Sequence, residues 1–119
     1  AMAGAKERKY PWGDWDKHPR ANTTEAGIND RSTAVGMYPH GQAVCGALDM
    51  AGNLWEWCAN NEGEPEIIDA SNTSSKLLRG GAFLYSQISA RASSRLNVNP
   101  NSDSLANGCR LVVAPIAPL

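Results

Sequence analysis

No segment of this chain holds its apolar residues in helical register for three turns, which excludes a helical bundle as the source of its core. It has no apolar run of about 18 or more residues, the length that a membrane-crossing helix requires. The longest, Leu111 to Leu119, is half that and is interrupted by Pro115 and Pro118. An excess of one charge is missing too: 11 basic and 12 acidic residues are scattered along the chain, for a net charge of −1. Neither a nucleic-acid partner nor membrane insertion is therefore expected, since each needs a basic stripe or an apolar span. Cysteine is sparse. Cys45, Cys58 and Cys109 form no CxxC pair, and their odd number argues against a full disulfide framework. Burial statistics place them in the core as small apolar residues. The two histidines, His18 and His40, have no Cys or His at zinc spacing. P-loop, GxGxxG and Gly-x-Ser-x-Gly motifs are absent.

What is present points to loops. Eleven glycines and seven prolines in 119 residues predict one loop-rich domain, residues 1–119, with enough chain for one core. Ala1-Met2-Ala3-Gly4 reads as a cut end or cloning scar, and residues 1–9 as a frayed end or short helix. Tyr10-Pro11-Trp12-Gly13 predicts a turn with aromatic plugs. Short strands are expected at 34–38, 54–58, 76–83 and 108–114, with a Gly80-Gly81 bulge or close backbone approach in the third. The expected core is a small antiparallel sheet of 54–58, 76–83 and 108–114, the last being the best strand by composition. Residues 16–34, 42–53, 59–75 and 84–107 read as loops, with 42–53 alternatively a single helical turn and 60–65 an exposed turn. Loops of such length are usually functional or disordered.

The densest chemistry lies in Asp49-Met50-Ala51-Gly52-Asn53-Leu54-Trp55-Glu56-Trp57. Asp49 and Glu56 offer carboxylates, and Gly52 and Leu54 offer carbonyls, the oxygen mixture that Ca²⁺ takes. Equally, Asp49 can cap a turn through backbone N–H groups and Glu56 can pair with an arginine; residue types alone leave both open. Trp55 and Trp57 share one face of an extended segment and, with Trp12 and Trp15, are read as core. Arg79, Arg91, Arg95 and Arg110 are read as braces for loops rather than an anion site. Two glycosylation sequons, at Asn22 and Asn72, are read as loop polarity.

Four blocks, in order, carry a resemblance: Tyr10-Pro11-Trp12-Gly13-Asp14, Asp49 to Trp57, Leu78-Arg79-Gly80-Gly81-Ala82-Phe83 and Gly108-Cys109-Arg110-Leu111-Val112. They resemble the signature blocks of the formylglycine-generating enzyme (sulfatase-modifying factor) family, over the C-terminal portion of its domain. The resemblance implies an α+β, C-type lectin-like fold with little helix. It implies structural calcium at Asp49, Gly52, Leu54 and Glu56, and a second calcium site at Asn22, Thr23, Glu25 and Ile28. It also implies that a missing N-terminal half or a second chain completes the domain.

The same resemblance argues against catalysis. The family's enzymes use a pair of cysteines after the RGG strand, and the matching positions here are Gln87 and Ala92. Soft copper needs thiolates, so no copper and no formylglycine-generating activity are expected, and the chain reads as a pseudoenzyme. Residues 84–107 instead look like the variable region of diversity-generating retroelement proteins. There, adenine-directed changes spare Met, Trp, Gln, Glu and Lys, and of these only Gln87 occurs in the segment. Asn97, Asn99, Asn101 and Asn107 look like unmutated template codons. Tyr85, Ser86, Ile88, Ser89, Ser94, Leu96, Val98, Ser102, Ser104, Leu105 and Ala106 are expected to point outward and bind a protein ligand, over a backbone anchored by Arg91, Arg95, Pro100 and Arg110. Tyr and Ser suit such a surface. The alternatives are an oxidase-type enzyme of the family and a degenerate structural member.

Overall fold

A computed structural model describes residues 7–28, 30–64, 66–68, 71, 73–113 and 115. Regular structure is scarce. Four strands, β1 (Trp55–Asn61), β2 (Lys76–Arg79), β3 (Leu96–Val98) and β4 (Asn107–Gly108), form one sheet in the order β3-β2-β1-β4. Short 3-10 turns at Thr24–Ala26 and Pro39–Gly41 are the helical elements among the described residues. None of the helices there is long or apolar enough to cross a membrane.

The period-2 pattern of β1 explains its place. Trp55 enters the core and Trp57 packs against it, while Glu56 and Cys58 turn to the opposite face. β2 pairs antiparallel with β1, setting Trp57 opposite Leu78 and Glu56 opposite Arg79. Leu78 is fully buried and meets Trp55, Ala82, Phe83 and Ala106 in the main core cluster. β1 runs on to Asn61, through the start of the predicted exposed turn. There Lys76 donates from Nζ to the buried Asn61 Oδ1, and the pairing register shifts between Trp57 and Asn61.

Several expectations are corrected. The sheet is mixed rather than antiparallel, because β4 pairs parallel to β1. Only Asn107 and Gly108 pair there. Leu111, Val112 and Val113 are 93%, 77% and 100% exposed, so strand propensity at 109–113 finds no partner among the described residues. Residues 34–38 form a turn, not a strand. β3 arises inside the segment read as loop, its Leu96 and Val98 drawn onto the core. The cysteines are not core residues: Cys45 and Cys109 are exposed and Cys58 is half-buried. Cys58 falls on the outer face by strand alternation, and Cys45 sits in the turn closed by Gly46 N to Ala43 O.

The aromatic turn forms as expected, with Tyr10 and Gly13 exchanging both backbone hydrogen bonds at 3.0 Å. Tyr10 stacks on Trp12 at 5.5 Å and meets Trp15 edge-on at 5.0 Å. These rings close a second cluster with Ala21, Ala51 and Ala90. The two clusters are tied by Asn53, whose left-handed backbone (φ 68°) is a conformation asparagine tolerates. Its Oδ1 accepts from Thr33 N at 2.8 Å and Asn22 Nδ2 at 3.3 Å, and its Nδ2 donates to Thr33 O. Its backbone N–H donates to Asn22 O, and its carbonyl accepts from Phe83 N. Beside it, Gly52 donates to Gly80 O, and a Cβ on Gly52 would lie 2.6 Å from Asn22 O.

Asn53→Leu is expected to destabilise the domain by about 2–4 kcal/mol in urea unfolding, since buried partners on two loops lose their acceptor and donor. Gly52→Ala should cost about 1–3 kcal/mol through the overpacked contact with Asn22 O. Unchanged midpoints in both variants would remove this node from the account.

Candidate functional site

The exposed face of 84–107 is built on backbone held from several sides. Gly81 brings the chain against the next turn, where an added Cβ would lie 2.9 Å from Ala90 N. Tyr85 O accepts from Thr24 N, and Ala92 N donates to Lys9 O. Arg79 donates from Nη2 to Ala92 O. Gln87 is gripped at both ends: its N–H donates to the two Glu25 carboxylate oxygens at 2.9 and 3.1 Å, and its carbonyl accepts from Tyr10 Oη at 3.1 Å. The clamps come from segments some sixty to eighty residues upstream, which spacing along the sequence does not reveal. Glu25 and Tyr10 were not foreseen as loop anchors, whereas Arg79 braces the loop as its reading from the sequence has it. Arg91, Arg95 and Pro100, expected to be anchors, are exposed.

On this backbone the expected outward residues divide. Ile88, Ser102, Ser104 and Leu105 are exposed, with Leu105 at 74%. Tyr85 is exposed and also meets Trp55 edge-on at 5.7 Å, so it is anchor and surface together. Ser86, Ser89 and Ser94 are half-buried, and Ser94 Oγ donates to Ile88 O at 2.7 Å. Leu96 and Val98 are half-buried on β3 and pack on the core. Ala106 does not point outward: it is 2% exposed, and its carbonyl accepts from Trp55 N. Leu84, which was not singled out, is exposed.

The carboxylate loop takes the bracing arrangement. Arg110 forks onto Glu56, Nε to Oε2 at 2.8 Å and Nη2 to Oε1 at 2.6 Å. Asp49 Oδ2 accepts from Gly36 N at 2.7 Å. A cavity of about 200 Å³ lies between them, bordered by Asn53 and Leu54. At the other predicted metal set, Asn22 is buried, and its Nδ2 donates to Arg31 O, Thr33 Oγ1 and Asn53 Oδ1. Its Oδ1 has no hydrogen-bond partner. Glu25 is committed to Gln87, and no cluster of three His, Cys, Asp or Glu is assembled among the described residues.

Glu25 also sets a pH dependence. Burial alone would raise its pKa, but the Gln87 N–H and other hydrogen bonds outweigh this and hold it below the ordinary glutamate value of 4.5. A carboxylate depressed by folding stabilises above its unfolded pKa and loses that contribution as pH falls through the folded one. The Gln87 amide resonance is therefore expected to shift, and its exchange protection to fall, on acidification below pH 4.5. A Gln87 amide insensitive to that titration would contradict the clamp.

Known proteins share this architecture. The chain is 30% identical over 124 residues to the hercynine oxygenase of Mycolicibacterium thermoresistibile, covering 92% of this chain and 27% of that protein. It is 28% identical to the inactive C-alpha-formylglycine-generating enzyme 2 of Bos taurus, covering 87% of this chain and 37% of that one. It thus spans about a quarter to a third of the length of these relatives. Treponema denticola variable protein 1 superposes with a TM-score of 0.71 at 20% identity, over 91% of this chain and 41% of that one. The fold is the loop-rich, C-type lectin-like fold of formylglycine-generating enzyme type. The sulfatase-modifying factor enzyme 1-like domain model matches residues 1–115, and the chain belongs to that family.

Proposed function

We propose that this domain is a non-enzymatic binding module that presents a diversified surface from residues 84–107 to a protein ligand. The observation that carries the reading is the separation of side chain from backbone there. Leu84, Ile88, Ser102, Ser104 and Leu105 are exposed, while the backbone between them is held by Glu25, Tyr10, Lys9 and Arg79. Such positions can change chemistry without unfolding the domain. The positions that match the family's cysteine pair support the same reading. Gln87 is held by its backbone and Ala92 is buried, and neither supplies a thiolate. The exposed Leu111-Val112-Val113 segment suits a strand from an upstream half-domain or second chain.

Calcium is the cofactor this fold implies. The Asn22–Thr23 corner fits it, because the Asn22 Oδ1 oxygen is buried and unsatisfied, a condition that an ion relieves. The Asp49–Gly52–Leu54–Glu56 set does not fit as arranged, since Arg110 engages both Glu56 oxygens and a cation would have to displace it. Chelation is expected to lower the melting temperature, with calcium but not magnesium restoring it. A melt indifferent to chelator would overturn calcium here.

Substituting Leu84, Ile88, Ser102 or Leu105 by other polar or apolar residues is expected to move stability by no more than about 0.5 kcal/mol. Ala106→Leu should cost about 1–3 kcal/mol by overpacking. The retroelement origin requires a near-copy of the 84–107 coding region close to the gene, differing where the copy carries adenine. A locus without such a repeat would sink that part of the reading. The enzyme reading is kept open by membership of the sulfatase-modifying factor enzyme 1-like family. Its test is incubation with copper and a cysteine-containing sulfatase peptide; formylglycine in the product would replace the binding module with an oxidase.

A further inference from the structure

The sheet has a second face, which meets the 84–107 segment only at Arg95. Strand alternation sends Glu56 and Cys58 of β1 and Leu77 and Arg79 of β2 to the side opposite the core. There they line a groove of about 510 Å³, which Met50, Trp57, Val112, Arg95 and Arg110 complete. Its size falls within the range of small-molecule sites, and its walls combine apolar side chains with a few converging charges.

The charges are unbalanced. Three guanidinium groups face one carboxylate, in a protein whose overall charge is −1. Arg110 is matched by Glu56. Arg79 gives one N–H to Ala92 O but has no carboxylate partner among the described residues. Arg95 is exposed and makes no hydrogen bond or ion pair there. Two guanidinium groups without a carboxylate therefore remain beside Met50, Leu77 and Val112. Guanidinium groups bind carboxylates through paired N–H donors and stack on flat rings.

We propose that this groove binds a small organic acid, a carboxylate on a flat apolar body, with the carboxylate between Arg79 and Arg95 and the body against Met50, Leu77 and Val112. The site borders the 84–107 segment through Arg95, while the rest of its walls lie outside that segment. Cys58 reports on it from within. Burial is the main influence on its thiol and pushes its pKa up, so its alkylation is slower than that of an exposed thiol such as Cys45.

The probe is 4-fluorophenylacetate, followed by fluorine NMR, with 4-fluorophenylacetamide as its neutral counterpart. The acid is expected to bind saturably with a Kd of about 1 mM, as a fragment of this size allows. The amide should bind at least fivefold more weakly. Arg95→Gln, which removes no internal contact, should weaken the acid by at least fivefold while melting like the parent. The acid should also slow iodoacetamide alkylation of Cys58 and leave that of Cys45 unchanged. Absence of saturable binding, equal binding of the amide, or undiminished binding by Arg95→Gln overturns the proposal.

Discussion

The side chain of Asn53 is the interaction on which the rest of the structure depends. A domain with so little helix and sheet cannot satisfy its backbone through regular ladders alone, so buried polar groups must be paired one by one. Asn53 pairs several at once. Its amide joins the loops around Asn22 and Thr33, and its backbone joins Asn22 to Phe83. Gly52 adds the contact to Gly80 and leaves room for the Asn22 carbonyl. The aromatic cluster of Tyr10 and the sheet cluster of Trp55 are thereby held in one body, though each is small alone.

With that node fixed, the 84–107 segment becomes a platform rather than a loose loop. Its backbone contacts run to residues from three separate parts of the chain: Lys9 and Tyr10, Thr24 and Glu25, and Arg79. The contacts are mostly to backbone atoms, so they do not specify which side chains the segment carries. Specification returns where a side chain enters the core, as at Ala106 and Leu96. Exposed side chains and core-packed ones thus share one segment.

Electrostatics divide along the same sheet. The Glu56–Arg110 fork is half-buried, where a charge-assisted bidentate pair is stronger than a neutral hydrogen bond. It ties β1 to the chain beyond β4. The neighbouring arginines keep their charge on a surface with apolar walls, which gives the two faces of the sheet different chemistry.

The sequence by itself determined the loop-rich class, the family, the turn at Tyr10–Gly13 and the core role of Trp55, because these rest on local signals: glycine and proline content, ordered motif blocks and period-2 burial. It also raised both uses of Asp49 and Glu56 without choosing. Tertiary structure supplies the arginine of the bracing use, since Arg110 lies far along the chain from Glu56 and only folding brings the fork to it. It likewise decided that 109–113 pairs with no strand among the described residues despite its β-branched composition, that Cys58 faces outward, and that Ala106 faces inward. Strand propensity and burial preference describe what a residue suits; which neighbour is there to pair with or pack against is set by contacts between distant segments, and those appear only when the chain has closed on itself.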